Sequence, residues 1–501
     1  MIQFFIIIPL AAAFIIPILG KRVKNFSETV AVVATFLVAV LPVKLILTMQ
    51  NDYLPVIIYK VGNWMPPAGV DLVADWLSVF MLATINIVAF LVCLYSAGYM
   101  KKFTDTWKFY ALFMTMLAGM NGVLLSGDIF NLYVFLEMAA ISGYFLVAFG
   151  TEAEELEAAF KYAVMGTVAS AFILIGIAFL YGHTSTLNMA DMAVILAANG
   201  SGNAVLFVSV LFVMGFGLKA ALIPFHAWLP YAHSSAPAPV SAMLSGVSIK
   251  VLGVYALTRI LFSVFGAGQA ILSTLVALGI ASMVIGALLA FGQKDIKRLF
   301  AYSSISQIGY IALALGIGTG FSIFAALFHL FNHSIAKSLL FLNSGSIEKI
   351  SGTKQLDGIH SIAAKSPVTG YTSLAGALSI CGMPPFGGFW SKLLIILACI
   401  KAGHPVLALV AAFVGALTLA YYFRALSPAL FGSGKKAAES ESAPAGKISF
   451  VMAVPVVILA VISLVSVAFL LPNEANYLLK DAAAVVVNKM AYSVSIFEAL
   501  K

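Results

Sequence analysis

Charged side chains are scarce in this sequence. Only 10% of its 501 residues are Asp, Glu, Lys or Arg, whereas 62% are hydrophobic. A soluble domain usually carries about 25% charged residues, so this composition excludes a soluble protein and indicates an integral membrane protein. The net charge of +8 does not indicate nucleic-acid binding. Most of the basic residues lie in short loops between apolar runs, where they orient a chain in the membrane.

Cysteine is also rare, and its placement excludes several kinds of site. Cys93, Cys381 and Cys399 lie in apolar runs, and none are spaced as CxxC. The sequence therefore offers neither a disulfide framework nor a cysteine site for zinc or an iron–sulfur cluster. It also contains no dinucleotide-binding fingerprint. We expect this chain to hold no cofactor and no metal, and we expect any redox chemistry to belong to partner subunits.

Long apolar runs dominate the chain instead. Because a helix needs about 20 apolar residues to cross a bilayer, the runs predict an all-α, polytopic membrane protein with about fourteen transmembrane helices. No basic segment precedes the first run, so we expect it to be a retained span and not a cleaved signal peptide. The predicted spans are 2–20, 28–49, 72–99, 109–126, 129–150, 157–181, 203–224, 237–263, 269–292, 298–318, 320–344, 368–400, 405–431 and 448–471.

Three further segments are not expected to cross the membrane. Residues 50–70 predict an extended hairpin on the outer face. Residues 433–446 are rich in Gly, Ser, Ala and charge, which predicts a flexible polar linker. Residues 474–498 mix apolar and polar side chains and predict an amphipathic surface helix.

Basic residues in the loops predict the orientation of the chain. With the spans above, all four basic clusters fall on one side of the membrane, and an excess of Lys and Arg marks the cytoplasmic side. Both termini should then lie outside. The acidic loop 151–157 also falls on the cytoplasmic side, but acidic residues count little in this rule. The clusters are Lys21, Arg22 and Lys24; Lys101 and Lys102; Lys294, Lys297 and Arg298; and Lys435 and Lys436.

Two of the predicted spans contain helix-breaking residues. Pro224 interrupts the seventh span, and the stretch CGMPPFGGFWSK at 381–392 interrupts the twelfth. Paired interruptions of this kind indicate inverted repeats with a site at the breaks. We therefore expect an N-terminal three-helix segment (1–100), a first repeat of helices four to eight (101–265) and an inverted second repeat of helices nine to thirteen (266–432). Residues 433–501 would hold the linker, the last transmembrane helix and the surface helix.

Three charged residues in the spans of the first predicted repeat are candidates for an ion pathway. Glu137 lies near the middle of the fifth span, Lys219 near the middle of the seventh and Lys250 in the eighth. Charged side chains inside the membrane are costly and by default mark an ion pathway. We expect Glu137 and Lys219 to form a pair, which either moves protons or merely holds two helices together. Lys250 belongs to the same pathway unless its side chain extends to the membrane surface.

A second set of titratable residues lies in the later spans. His329, His333 and Lys337 are spaced four and four apart, so they share one helix face. Histidine can shuttle protons. Two histidines four residues apart can also bind zinc, but the HExxH pattern typical of such sites is not present. A third alternative is that both are hydrogen-bonded core residues. Lys392 follows the second break, in the place that Lys219 holds in the first repeat.

Several neighbouring side chains are candidates for an accessory role. His226 and His233 lie between Lys219 and Lys250. Tyr302, Ser303, Ser304 and Ser306 could order water, although hydroxyl groups within a span often only bond backbone carbonyls.

Three stretches together resemble a known family. GLKAALIPFHAWLPYAHSSAPAPVSAMLSGVSIK, HLFNHSIAKSLLFL and GMPPFGGFWSK resemble the proton-pumping, antiporter-like membrane subunits of respiratory complex I. The resemblance is closest to the D-type subunit of Mrp-type Na⁺/H⁺ antiporters and the similar subunits of membrane-bound hydrogenases. It implies that Glu137, Lys219, Lys250, His329, His333, Lys337 and Lys392 form a translocation path. The short segment after residue 473 argues against the type of subunit that bears a long lateral helix.

The function expected from these residues is ion translocation in a larger membrane complex. Protons, alone or coupled to sodium, would move along the Glu/Lys/His chain in a multi-pass subunit of the cell membrane that is surrounded by other membrane subunits. One alternative is a proton-pumping subunit of a complex I-type NADH/quinone oxidoreductase. Another is a stand-alone secondary transporter, for which the sequence offers little sign of a substrate pocket. An enzyme with redox chemistry of its own has no support.

Overall fold

Helices make up most of this protein. The structure is a computed structural model that describes residues 1–23, 25–66, 69–199, 202–432 and 448–500. Helix accounts for 82% and strand for 3%, so the prediction of an all-α, polytopic membrane protein is confirmed. The predicted linker 433–446 and the basic residues Lys24, Lys435 and Lys436 lie outside the described residues.

The first part of the chain runs from the N-terminus to the helix that follows the first interrupted helix. Its helices are α1 (Phe4–Leu19), α2 (Phe26–Asn51), α3 (Trp76–Tyr99), α4 (Thr106–Leu125), α5 (Ile129–Val147), α6 (Ala153–Thr184), α7 (Met189–Asn199), α8 (Asn203–Lys219), α9 (Trp228–Ser235) and α10 (Ala238–Val264). Strand β1 (Val56–Lys60) pairs antiparallel with β2 (Asp71–Asp75). A hairpin is therefore present, but its second strand lies beyond the predicted range 50–70 and shortens the third predicted span, because residues 72–75 are strand and not helix. Its place on the outer face stays a prediction.

The second part contains the second interrupted helix and the C-terminal segment. Its helices are α11 (Gln269–Phe291), α12 (Ile296–Ile317), α13 (Gly320–Ser351), α14 (Ile362–Lys365), α15 (Pro367–Cys381), α16 (Gly387–Lys401), α17 (Pro405–Phe431), α18 (Phe450–Val465), α19 (Glu474–Val487) and α20 (Lys489–Leu500). Short 3₁₀ turns occur at Val61–Asn63, Met100–Lys102, Leu356–Gly358 and Ser466–Leu470.

Eleven helices in the described ranges are long and apolar enough to cross a membrane. The three other predicted spans correspond to α1, which has 16 residues, and to the two interrupted helices α8–α9 and α15–α16. The count of fourteen crossings therefore stays a prediction. The predicted surface helix at 474–498 forms two helices, because the backbone of Asn488 is extended between them. In α19, Leu479 and Ala482 are buried whereas Tyr477 is exposed, as an amphipathic helix requires.

Three inner helices form the centre of the molecule. The most apolar stretch of α10 is entirely buried, and those of α12 and α13 are 89% and 94% buried. Small residues allow close packing here. A Cβ on Gly279 of α11 would lie 2.6 Å from the backbone nitrogen of Leu313, and one on Gly309 of α12 would lie 2.5 Å from that of Met283. Outer helices such as α1 and α17 instead expose large apolar side chains, as lipid-facing helices do.

A buried ion pair joins the hairpin to α10. Both guanidinium Nη atoms of Arg259 donate to the carboxylate of Asp75, at 2.7 and 2.8 Å. Asp75 also caps α3 by accepting from the backbone of Ser78, and the ring of Tyr492 from α20 lies 4.9 Å from the guanidinium. Burial opposes ionisation of Asp75, but the charge of Arg259 overcomes this and holds the pKa of the carboxyl below its usual value. The pair thus ties four segments together.

We predict that Asp75→Asn destabilises the protein, because it leaves the buried Arg259 without a counter-charge. Breaking one half of a buried pair costs about 3–5 kcal/mol, so the melting temperature in detergent should fall by several degrees. Glu157→Gln is the matched control, since its ion pair with Lys161 lies at the surface and should matter little. Equal melting temperatures for Asp75→Asn and the unaltered protein would show that the pair is not structural.

Candidate functional site

The first interrupted helix places Lys219 at a helix end. Helix α8 stops at Lys219, and helical structure resumes only at Trp228. Pro224 lacks a backbone N–H and cannot continue the helix. The freed backbone groups find partners inside the protein: the Trp228 indole donates to the Leu218 carbonyl at 3.0 Å, and Ile223 N donates to Ser282 Oγ at 3.0 Å. The predicted break is therefore present, but the expectation that Lys219 lies mid-helix is wrong.

Glu137 and Lys219 form an ion pair. Lys219 Nζ lies 3.3 Å from Glu137 Oε1, and Lys219 is buried whereas Glu137 is 23% exposed. Glu137 lies halfway along α5, as predicted. The hydroxyl of Ser170 from α6 donates to the same carboxylate oxygen, and Lys219 Nζ also lies 3.5 Å from Tyr144 Oη. Three helices thus hold the pair, and the partly exposed carboxylate links it to the protein surface.

Lys250 lies in a widened stretch of α10. The backbone from Leu244 to Tyr255 forms π-helical turns, which are rare and frequently occur at functional sites. Lys250 Nζ donates to the carbonyl of Ser245, five residues earlier. The side chain is completely buried, so the alternative that it extends to the membrane surface is wrong.

A line of hydrogen bonds connects Lys250 with Lys337. The hydroxyl of Ser245 bonds that of Ser304 in α12 at 2.7 Å, and Ser304 Oγ donates to the Phe300 carbonyl at 2.9 Å. Lys337 Nζ of α13 donates to the same carbonyl at 2.9 Å. Two buried ammonium groups on neighbouring helices therefore share one polar line through the most buried part of the molecule.

His329 and His333 lie on the same helix as Lys337, α13. Their rings are stacked, with centroids 6.2 Å apart and an angle of 3° between the planes. His329 Nδ1 lies 2.9 Å from Ser391 Oγ of α16. His329 Nε2 and both ring nitrogens of His333 are buried and have no hydrogen-bond partner among the described residues. Lys337 also donates to Tyr422 Oη at 3.2 Å.

The second interrupted helix holds Lys392. Helix α15 ends at Cys381 and α16 begins at Gly387, so the predicted break is present. Lys392 Nζ donates to the freed carbonyl of Ile380 at 2.6 Å and lies 5.0 Å from the ring centre of Tyr310. Gly382 has a left-handed backbone with φ 80°. Lys392 follows its break whereas Lys219 precedes its own, so the expectation that the two lysines hold the same place is wrong.

The accessory histidines differ in their surroundings. His233 is fully buried in α9, and its ring stacks on that of Phe341 with the centroids 4.6 Å apart. Neither ring nitrogen has a hydrogen-bond partner within the described part of the chain. His226 lies half-buried in the first break. Of the hydroxyl groups near residue 304, Ser306 donates to the carbonyl of Met283 and only Ser304 belongs to the polar line.

The site residues fall into two groups. One is the Glu137–Lys219 pair, and the other holds Lys250, Lys337, the two histidines and Lys392; among the described residues, hydrogen bonds link Lys250 to Lys337 in this second group but do not link Lys337 to the histidines or the histidines to Lys392. No hydrogen bond between described residues joins Lys219 to Lys250, although the helices touch: a Cβ on Gly253 would clash with the backbone nitrogen of Ala220.

Sequence reasoning missed several hydroxyl groups of the site. Their spacing carries no signal, because each hydroxyl meets its partner only through the packing of separate helices. They are Tyr144, Ser170, Ser245, Tyr310, Ser391 and Tyr422.

A buried carboxyl group near the hairpin was also missed. Asp71 accepts from the side chain of Asn188 at 3.2 Å, but its Oδ2 has no partner among the described residues. Burial raises the pKa of this carboxyl to about 6. Within the described ranges, no three His, Cys, Asp or Glu side chains are grouped so that they could hold a metal ion.

Family comparisons match most of this chain. Residues 126–418 match the family described as "NADH:quinone oxidoreductase/Mrp antiporter, TM". Residues 64–110 match the family described as "NADH-Ubiquinone oxidoreductase (complex I), chain 5 N-terminus". The first match contains every predicted site residue from Glu137 to Lys392.

Individual relatives agree with this match. The chain is 39% identical over 376 residues to the N subunit of the NADH-quinone oxidoreductase of Desulforudis audaxviator, covering 74% of this chain and 75% of the relative. It is 33% identical over 460 residues to the D subunit of the Na⁺/H⁺ antiporter of Alkalihalophilus pseudofirmus. The match covers 91% of this chain and 93% of the relative.

Two solved complexes contain a chain of the same fold. One is the archaeal membrane-bound sulfane sulfur reductase, with a TM-score of 0.90 and 32% identity over 99% of both chains. The other is the Mrp complex of a Dietzia species, with a TM-score of 0.88 and 26% identity over 100% of this chain and 98% of the other. The chain belongs to the NADH:quinone oxidoreductase/Mrp antiporter family of membrane subunits.

Proposed function

We propose that this chain is an ion-translocating subunit of a multisubunit membrane complex and that protons move along its buried Glu/Lys/His chain. The observation that carries the proposal is that two buried lysines, Lys250 and Lys337, lie on neighbouring helices and are joined by a hydrogen-bonded line through Ser245, Ser304 and the Phe300 carbonyl. Because carbonyl oxygens only accept, this line positions the two titratable groups and is not itself the route of the proton. Titratable groups of this kind are costly in a membrane protein and face its interior chiefly where they serve ion or proton movement.

The Glu137–Lys219 pair would control proton entry to these two lysines. A lysine ammonium exchanges its proton when burial and a nearby carboxylate compete to set its charge. At 3.3 Å the pair favours both charged forms. A small movement of the interrupted helix would separate the two groups and favour proton transfer. The partly exposed Glu137 supplies the link to water or to a neighbouring subunit.

His329, His333 and Lys392 would complete the path on the far side of Lys337. The unpartnered ring nitrogens of His329 and His333 are buried polar atoms of the kind that ordered water satisfies. A water molecule there would bridge the rings and carry protons toward Ser391 and Lys392. Each residue of the path then acts by holding or passing a proton, and no cofactor is required.

We infer the D-type subunit of an Mrp-type Na⁺/H⁺ antiporter, or the equivalent subunit of a membrane-bound hydrogenase-like complex, as the type of subunit. The named antiporter relative spans nearly the full chain, and the sulfane sulfur reductase chain shares its fold throughout. A proton-pumping subunit of an NADH/quinone oxidoreductase is the second candidate, favoured by the 39% identity to the N subunit of such a complex. In each case other membrane subunits would be the partners.

We also propose that the chain lies in the cell membrane with both termini outside. The loops after α1 and α3 carry Lys21, Arg22, Lys101 and Lys102 at the same end of the molecule, as the excess of basic residues at the cytoplasmic side requires. The β1–β2 hairpin would then face outward.

We predict that Glu137→Ala and Lys219→Ala each lower proton translocation in membrane vesicles by about 10²-fold or more, as expected for loss of a proton-transfer group. In each variant the remaining member of the pair can no longer alternate between its charged and neutral forms. The double variant should be little worse than either single one, because the two groups act as a unit. Glu137→Asp should retain partial activity, since the charge survives on a shorter side chain.

Glu157→Gln serves as the control for this series, because Glu157 is an exposed residue of the same repeat. Subunit abundance is checked by blotting. Near-normal translocation by Glu137→Ala at normal abundance would favour a purely structural ion pair.

We predict opposite labelling of two exposed positions. The three native cysteines are buried, so a membrane-impermeant thiol reagent should report only introduced ones. Tyr53→Cys in the hairpin segment should react from outside intact cells, and Lys108→Cys in α4 should react only after the cells are opened. The reverse pattern would overturn the orientation.

A further inference from the structure

A polar cavity of about 990 Å³ lies at one end of the first four helices. It sits where α1 ends, α2 begins, α3 ends and α4 begins. It is far along the chain from the Glu/Lys/His site, and no residue of that site lines it. The ends of membrane-spanning helices lie at the depth of the lipid headgroups, so the position alone suggests contact with that layer.

Two buried hydroxyl groups line this cavity without a hydrogen-bond partner. Ser27 is 5% exposed and Tyr110 is 1% exposed, and neither hydroxyl has a partner among the described residues. A hydroxyl group that is buried without a partner destabilises a protein. The oxygens are enclosed in the cavity wall, so each side chain would rotate to donate a hydrogen bond to a ligand that offers acceptor oxygens.

Three lysines and two carboxylates, Glu28 and Asp105, line the cavity, so its charged side chains leave it a net positive charge. Lys21 Nζ lies 4.6 Å and Lys108 Nζ 5.6 Å from the ring centre of Trp107, which holds both ammonium groups in place. Lys101 lines the same cavity and is exposed. Ammonium groups attract phosphate oxygens, and at the cytoplasmic surface such residues contact lipid headgroups.

Two helix N-termini also open into the cavity. Helices α2 and α4 begin at it, and neither cap residue, Asn25 or Asp105, uses its side chain to accept from the first helical turn. The Asp105 carboxylate instead pairs with Lys108 at 2.7 Å. The first backbone N–H groups of a helix bind anions well. Lysines, unpartnered hydroxyls and helix N-termini thus all favour one kind of ligand.

From this arrangement we infer that the cavity binds the phosphodiester headgroup of a membrane phospholipid. The phosphate oxygens would accept from Ser27, Tyr110 and the lysines. The exposed apolar side chains of Ile18 and Val33 on α1 and α2 would contact the acyl chains. Glu28 and Asp105 also line the cavity and repel additional negative charge. The site therefore suits a headgroup with a single phosphate, such as phosphatidylglycerol or phosphatidylethanolamine, and not a polyphosphorylated one.

Native mass spectrometry of the purified complex tests this site. Phosphatidylglycerol and phosphatidylethanolamine are titrated in detergent, and their affinity for the subunit is compared between variants. Lys21→Gln combined with Lys101→Gln should lower the affinity by about tenfold or more, because two charge-assisted contacts are lost. Ser27→Ala and Tyr110→Phe should each lower it by about fivefold, as expected for one hydrogen bond.

Matched controls and a headgroup without acyl chains complete the experiment. Lys44→Gln and Tyr53→Phe change an exposed lysine and an exposed tyrosine away from the cavity and should leave the affinity unaltered. Unchanged affinity in both Ser27→Ala and Tyr110→Phe would overturn the proposal, even if the double lysine variant fails to fold. Glycerol 3-phosphate should bind far more weakly than the lipids; equal binding would assign the site to free phosphate esters and overturn the lipid assignment.

Discussion

The structure depends on burying several ammonium groups where few counter-charges are present. Of the site lysines, only Lys219 has a carboxylate within ion-pair distance among the described residues. Lys250, Lys337 and Lys392 are bound instead by backbone carbonyls of Ser245, Phe300 and Ile380. A carbonyl oxygen has two lone pairs, so that of Phe300 in the regular helix α12 accepts from Lys337 as well as from its own helix. The carbonyls of Ser245 and Ile380 lie instead where a helix is widened or broken.

Three helix irregularities each lie beside one of these lysines. The π-helical turns of α10 bring the Ser245 carbonyl to Lys250. The break between α15 and α16 frees the Ile380 carbonyl for Lys392. The break after α8 ends the helix at Lys219 and directs its side chain toward Glu137. A carbonyl partner holds an ammonium group less firmly than a carboxylate would, which supports the proposal that Lys250 and Lys392 exchange protons.

The Asp75–Arg259 pair shows the opposite arrangement. Its geometry is bidentate, and Arg259 cannot lose its proton under physiological conditions. The pair joins the hairpin, α3, α10 and α20 and has no member in the polar line. The protein thus uses a fully paired arginine to fix the end that holds the hairpin and incompletely paired lysines where proton exchange is proposed.

The sequence predicted the features that depend on local chemistry. Apolar runs identified the helices, Pro224 and the Pro384–Pro385 pair located the breaks, and the spacing of His329, His333 and Lys337 placed them on one face. It did not reveal that Lys219 ends a helix, since the exact residue at which a helix stops depends on its tertiary partners. The bond between Ser245 and Ser304 joins residues 59 positions apart. No local pattern marks such a contact, because it arises only when α10 and α12 pack together.

Lys250 lies between the Glu137–Lys219 pair and the histidine-containing half of the site, and protons are proposed to cross the middle of the membrane through it. The most direct measurement is proton translocation by the assembled complex in proteoliposomes with Lys250→Met, which keeps much of the length of the side chain but cannot hold a proton. The complex should assemble normally and the Glu137–Lys219 pair should stay intact. We predict that translocation is abolished; translocation at the rate of the unaltered complex would contradict the proposed path.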